Sequence, residues 1–150
     1  MKVVVQRVSS ASVTIAEKIV AEIQYGLLVF VGIVPEDTLE DVDWLTGKIG
    51  NLRIFADADD VMNLSIKDCD GDIIVVSQFT LHASTKKGNR PSYIIAAKNI
   101  IAIPLYETFI KKLAEISGLS VKTGQFGADM KVSLNNDGPV TILMDTKNKE

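Results

Sequence analysis

The sequence predicts an α+β protein: a curled, barrel-like, mostly antiparallel β-sheet with helices packed outside it. Three observations carry that prediction. Short β-branched runs bounded by turn residues recur along most of the chain. Two segments, 36–49 and 92–116, switch to an apolar spacing of three to four residues. No repeat, linker or low-complexity stretch divides the 150 residues, and 47% of them are hydrophobic, enough for one core in a single domain over 1–150.

The elements follow in order. Residues 2–8 are strand-like, with Arg7 at the strand's end. Residues 12–15 and 19–23 form a hairpin around Ala16, Glu17 and Lys18. Residues 26–34 are apolar almost throughout and read as the most buried strand. The helix over 36–49 presents Leu39, Val42, Leu45 and Ile49 on one face. Glu36 and Asp37 crowd its start, where the helix dipole favours negative charge, and Trp44 reads as a packing residue. Residues 52–55 form a strand, and the acidic run 57–60 is a solvated loop lacking the spaced ligands of a calcium loop. Asp70-Gly71 makes a turn into a central strand over 73–81. A polar loop covers 82–91. The helical pattern of 92–116 must be kinked or split at Pro104, and Gly118 caps it. Strands over 121–122, 130–134 and 140–144 complete the sheet, and residues 147–150 are expected to fray.

Composition excludes several chemistries. A net charge of −3 argues against coating nucleic acid by charge alone, although a local basic patch is compatible with it. One cysteine, Cys69, cannot form a disulfide framework, and with one histidine, His82, there is no Cys/His zinc site. No apolar run is long enough to span a bilayer, and the first residues lack a signal-peptide pattern, so a soluble cytoplasmic protein is expected.

Two stretches carry candidate chemistry. In Asn136-Asp137-Gly138-Pro139-Val140-Thr141, glycine allows close backbone approach and proline fixes its own φ. Two carbonyls held by such a rigid unit make a recognition surface without a side chain, suited to judging the handedness of a small substrate. The same residues also fit an Asp-Gly turn before a strand. In Ser77-Gln78-Phe79-Thr80, a bulge or strand end would free backbone N–H groups for an oxyanion. Ser77 or Thr80 as nucleophile would need a base, and the only imidazole, His82, reads sooner as a structural or solvated residue. Positioning with oxyanion stabilisation therefore fits better than a histidine-activated nucleophile.

These residues bring a family into view. Arg7 within residues 3–13, Ser77-Gln78-Phe79-Thr80-Leu81, Lys87-Gly88-Asn89-Arg90-Pro91-Ser92, residues 123–130 and residues 136–141 together resemble the D-aminoacyl-tRNA deacylase family. The likeness runs in register and in order from residue 1 to about residue 145. Each motif is weak alone; five at matching separations are specific.

The resemblance implies a homodimer with two active sites at the subunit interface. It implies that Gly138-Pro139 is a cis unit of one subunit entering the other's pocket, where its carbonyls engage the chiral centre and exclude an L side chain. Arg7 would orient that unit. Ser77, Gln78, Phe79 and Thr80 would form the reaction side, with N–H groups of Gln78 and Phe79 near the scissile ester. Phe126, Met130 and neighbouring backbone would receive the terminal adenosine, and Lys86, Lys87 and Arg90 would face tRNA phosphates. The implied reaction is hydrolysis of D-aminoacyl-tRNA, and of glycyl-tRNA, assisted by the substrate's 2′-hydroxyl. No metal, cofactor or stable protein partner is expected. A nucleophilic Thr80 ranks second. The reading from another class is a non-catalytic nucleic-acid-binding protein that uses the loop 86–90.

Overall fold

A computed structural model describes residues 1–149. Its sheet is built on β1 (Lys2–Ile15), which pairs antiparallel with β8 (Lys131–Asp145) on one side. On its other side it pairs first with β3 (Gly26–Gly32) and then with β2 (Lys18–Ile23), both antiparallel. From β3 the sheet continues through β6 (Asp72–Ser77) to β7 (Val121–Thr123), and these two pairings are parallel. A separate small ribbon joins β4 (Phe55–Ala56) to β5 (Met62–Leu64). The sheet is thus mostly antiparallel and nearly closed.

Two apolar clusters explain the curl. Val3, Val5, Val29, Val31 and Val75 pack under α1 (Leu39–Gly50) and α2 (Asn99–Ser117), against Leu45, Phe109 and Leu113. Val8, Val13, Ile23, Leu28, Ile74 and Val76 form a second cluster. Alternate residues of β3 and β6 therefore enter different clusters, and both faces of these strands are buried. Each large apolar side chain fully removed from water stabilises the fold by roughly 1.5–3 kcal/mol. Gly26 allows β3 to meet β6: a Cβ there would lie 1.9 Å from the Asp72 carbonyl oxygen.

Several element boundaries differ from the sequence reading, for physical reasons. Residues 2–8 and 12–15 belong to one strand, because Ser10 and Ala11 keep their pairing to Asn135 and Leu134 of β8. Arg7 accordingly lies inside β1, not at its end. Ala16 and Glu17 both have positive φ, 46° and 64°, which closes the hairpin in two residues. α1 starts after Thr38, whose capping box with Asp41 satisfies its first N–H groups. Asp37 is instead buried, accepting the Val34 N–H at 2.8 Å. The strand expected at 52–55 is only Phe55–Ala56. α2 begins at Asn99 rather than 92, and it runs through Pro104 as one helix. Residue 147 is not frayed: Lys147 Nζ contacts Asp41 Oδ1 at 3.0 Å. Burial works to raise the Asp41 pKa, but hydrogen bonds from Thr146, Thr38 and Lys147 outweigh it and hold the carboxyl well below its ordinary value. The last position of the expected frayed end, 150, lies outside the described residues.

Candidate active site

The central strand ends sooner than its apolar pattern suggests. β6 pairs with β3 in parallel as far as Val31 and Ser77, and Gln78 N–H then donates to the Val31 carbonyl at 2.7 Å. Beyond it, Phe79–His82 wind into a 3-10 turn, with Leu81 N–H on the Gln78 carbonyl at 3.2 Å. The strand expected over 73–81 therefore stops at Ser77. The Gln78 N–H is used by the sheet, which removes it as an oxyanion donor. Among the described residues, the N–H groups of Phe79 and Thr80 have no hydrogen-bond partner. The Gln78 amide donates to Thr80 Oγ1 at 2.5 Å.

This strand end opens onto a cleft of about 550 Å³. Ser77, Gln78 and Phe79 form one wall, and Phe126 and Met130 lie on another. Phe126 is held edge-on against Tyr106 at 5.6 Å between ring centres, and Tyr106 donates to the Val75 carbonyl at 2.9 Å. Burial pushes the Tyr106 pKa up, against a weaker opposing effect from the Ser77 backbone, so its hydroxyl stays protonated.

Other lining residues carry no signal in the sequence, Tyr93, Ala97 and Asn99 among them. Tyr93 and Ala97 reach the cleft, with Asn99 at the start of α2 beside them, because 92–98 is a folded connection, not helix: Ala97 N–H is tied to the Ile33 carbonyl at 2.9 Å. Apolar spacing gave no signal for this. Tyr93 packs edge-on against the half-exposed Phe79 at 5.1 Å.

His82 belongs elsewhere. It is buried, does not line the cleft, and its Nε2 has no hydrogen-bond partner among the described residues. Burial lowers its pKa, with the Gly32 backbone opposing. A buried imidazole of this kind does not serve Thr80 or Ser77 as a base.

The basic loop is an arm pinned at its base by paired bonds between Ser84 and Ser92, at 2.8 and 2.9 Å. Lys86, Lys87 and Arg90 are exposed and form no ion pair among the described residues.

Arg7, Gly138 and Pro139 do not line the cleft of their own chain. They form a second feature where β8 runs beside β1. Gln6 opposes Thr141 and Val8 opposes Asn136, so Arg7 alone faces the four residues 137–140. Those four leave the ladder, with Gly138 at φ 126° and a cis bond to Pro139. Arg7 Nε donates to the Asp137 carbonyl at 3.1 Å and lies 3.2 Å from its carboxylate, while Nη1 donates to the Ile54 carbonyl at 2.6 Å. Gly138 is required here: a Cβ would meet Val140 Cγ2 at 2.8 Å and Arg7 Nη2 at 3.0 Å.

An apolar cleft, the unpaired Phe79 N–H at its wall with that of Thr80 next along the chain, just outside the lining, and no imidazole in reach define a protein fit for positioning an activated carbonyl compound, with backbone donors for its developing charge. The comparisons make the class specific. The D-Tyr-tRNA(Tyr) deacylase family model matches residues 4–145, and the chain belongs to this family. It is 67% identical over 150 residues to a D-aminoacyl-tRNA deacylase of Flavobacterium johnsoniae, covering 100% of both chains. It is 64% identical to one from Bacteroides fragilis, again over 100% of both. Among solved structures, one described as "c-Myc DNA Unwinding Element Binding Protein" is 40% identical with a TM-score of 0.91, covering 97% of this chain and 99% of that one. A probable eukaryotic D-amino acid tRNA deacylase superimposes with a TM-score of 0.82 at 17% identity, over 95% and 97% of the two chains, and shows the shared fold.

Proposed function

We propose that this chain is a D-aminoacyl-tRNA deacylase, an ester hydrolase that frees D-amino acids from tRNA in the cytoplasm and leaves L-aminoacyl-tRNA intact. The observation that carries this reading is one cleft joining Ser77, Gln78 and Phe79 to Phe126 and Met130. It lies in a chain similar from end to end to deacylases of that name.

Water attacks the ester carbonyl carbon. The N–H groups of Phe79 and Thr80 receive the negative charge that develops on the carbonyl oxygen. The bond to the ribose 3′-oxygen then breaks, and that oxygen takes up the proton lost by the water, relayed through the neighbouring 2′-hydroxyl. The products are the free D-amino acid and tRNA. An aminoacyl ester is already activated, so no cofactor is needed. Thr80 as nucleophile is disfavoured, because its hydroxyl accepts from Gln78 and has no base beside it.

The Gly138-Pro139 unit acts on a second subunit's cleft in a homodimer, which accounts for its absence from its own. There its carbonyls leave room for a D side chain and none for an L one. Glycine, with no side chain, is accepted. Phe126 and Met130 receive the terminal adenosine, and Lys86, Lys87 and Arg90 neutralise tRNA phosphates.

One observation favours a second reading: a solved chain 40% identical to this one carries the description of a DNA-element-binding protein. Matched D- and L-tyrosyl-tRNA separate the two. Release of D-tyrosine alone is the expected result. Salt-sensitive binding of nucleic acid without release of either amino acid sinks the deacylase and favours the binding protein.

A further inference from the structure

Where the β1–β8 ladder breaks, one β1 residue faces four on β8, and the excursion must be held at both ends. Arg7 holds its beginning: Nε serves Asp137, and Nη1 is committed to the Ile54 carbonyl. The other end depends on Asn136. Its Nδ2 donates to the Val140 carbonyl at 3.0 Å and to the Arg7 carbonyl at 3.0 Å. One amide group thus ties the residue leaving the excursion to the β1 residue beneath it. The backbone of Asn136 is still paired with Val8, between the break that opens the excursion and a further register shift toward Ser10, so the clamp is mounted where the ladder resumes. A neutral amide donates both hydrogens; a carboxylate donates none and a hydroxyl only one. Outside the clamp, Gln6 Nε2 donates to Thr141 Oγ1 at 3.2 Å, and the Thr141 hydroxyl reaches Asn136 Oδ1 at 3.5 Å.

We infer that Asn136 is a positioning residue for chiral discrimination: its amide closes the excursion and sets the direction of the Gly138 and Pro139 carbonyls. The inference rests on the proposed reading in which those carbonyls judge the handedness of the aminoacyl group. Releasing the clamp lets them retreat and opens space for an L side chain. The donors at Phe79 and Thr80 lie on a different element and are untouched. The effect therefore falls on the ratio of D to L hydrolysis, and less on the D rate.

The test is kcat/KM for D- and L-tyrosyl-tRNA in the full-length protein and its variants. Asn136→Ala lowers the D-to-L ratio about tenfold, the scale of two neutral hydrogen bonds, and Asn136→Ser, with one donor, lowers it about threefold. Thr141→Val, which removes only the outer contact, keeps the ratio within about twofold. A purely structural role reduces both rates together with an unchanged ratio, and that result overturns the inference. Gly138→Ala separates this failure from that of the underlying reading. If it shifts the ratio while Asn136→Ala does not, the clamp is wrong and the reading stands. If neither shifts it, both fall. Should the Asn136 variants fail to fold, side-chain amide exchange in the unmodified protein decides. Clamped Nδ2 hydrogens exchange at least about tenfold more slowly than those of exposed asparagines, and free exchange overturns the clamp.

Discussion

The cleft and the Gly138-Pro139 excursion solve opposite problems. The cleft is walled by segments far apart in sequence, the end of β6, the connection 92–98 and the loop 126–130, and apolar packing holds it. The excursion is local, the four residues 137–140 of one strand, and is held by hydrogen bonds and one ion pair from Arg7. The cleft has volume but little that could distinguish mirror images. The excursion has rigidity and two directed carbonyls but no pocket of its own. In the proposed reading chemistry and discrimination therefore sit in separate parts of the chain, and a second copy would bring them together.

Substitutions can break this division or sharpen it. The largest expected effect is at the excursion. Gly138→Ala forces a side chain onto φ 126° and into Arg7 and Val140, so the D-to-L ratio falls on the order of a hundredfold, read by release from matched tyrosyl-tRNAs. An unchanged ratio would remove discrimination from this unit altogether. Next comes the substrate's own contribution to the cleft chemistry. Replacing the terminal 2′-hydroxyl by hydrogen slows hydrolysis by about a hundredfold in single-turnover assays; equal rates would mean that the protein supplies the missing base.

A smaller effect is expected at Thr80. Thr80→Ala retains at least about a tenth of wild-type kcat, because the donor is its backbone and not its hydroxyl. Complete loss with an intact circular dichroism spectrum would restore the nucleophile. The smallest effect on turnover belongs to His82, which lies outside both regions. His82→Ala leaves kcat of the folded enzyme within about twofold, since no reacting atom is in reach. Its signature is in stability. Burial places the folded-state pKa below the ordinary 6.5, so the unfolded chain binds more protons at lower pH. Stability contributed above that value is lost as pH falls from 6.5 toward the folded pKa. Urea titrations on either side of 6.5 check the slope, and the variant flattens it.

The two regions were also unequally legible. The excursion could be read as a motif because its residues are contiguous and glycine and proline carry their constraints with them. Even there, the sequence suggested two strands with a turn between them, whereas pairing with β1 makes one strand of 131–145 with the excursion inside it. For the cleft, Ser77 to Thr80 could be named, but the apolar run 73–81 suggested a strand that continues through them. It stops because the Gln78 N–H is taken by Val31 and the following residues wind into a 3-10 turn, a choice made by the neighbouring strand. Tyr93 and Asn99 were hidden inside a helical pattern that begins only at Asn99.

What the sequence by itself determined is the set of local decisions: the β-branched runs, the helical periods under α1 and α2, and the glycines and the proline. These depend on each residue's own conformational preferences or on neighbours a few positions away. What only the tertiary structure decided is which N–H groups remain free, that His82 is buried away from the cleft, and that the excursion does not enter its own chain's cleft. Hydrogen-bond satisfaction and burial are settled between residues distant in sequence, so no local pattern encodes them.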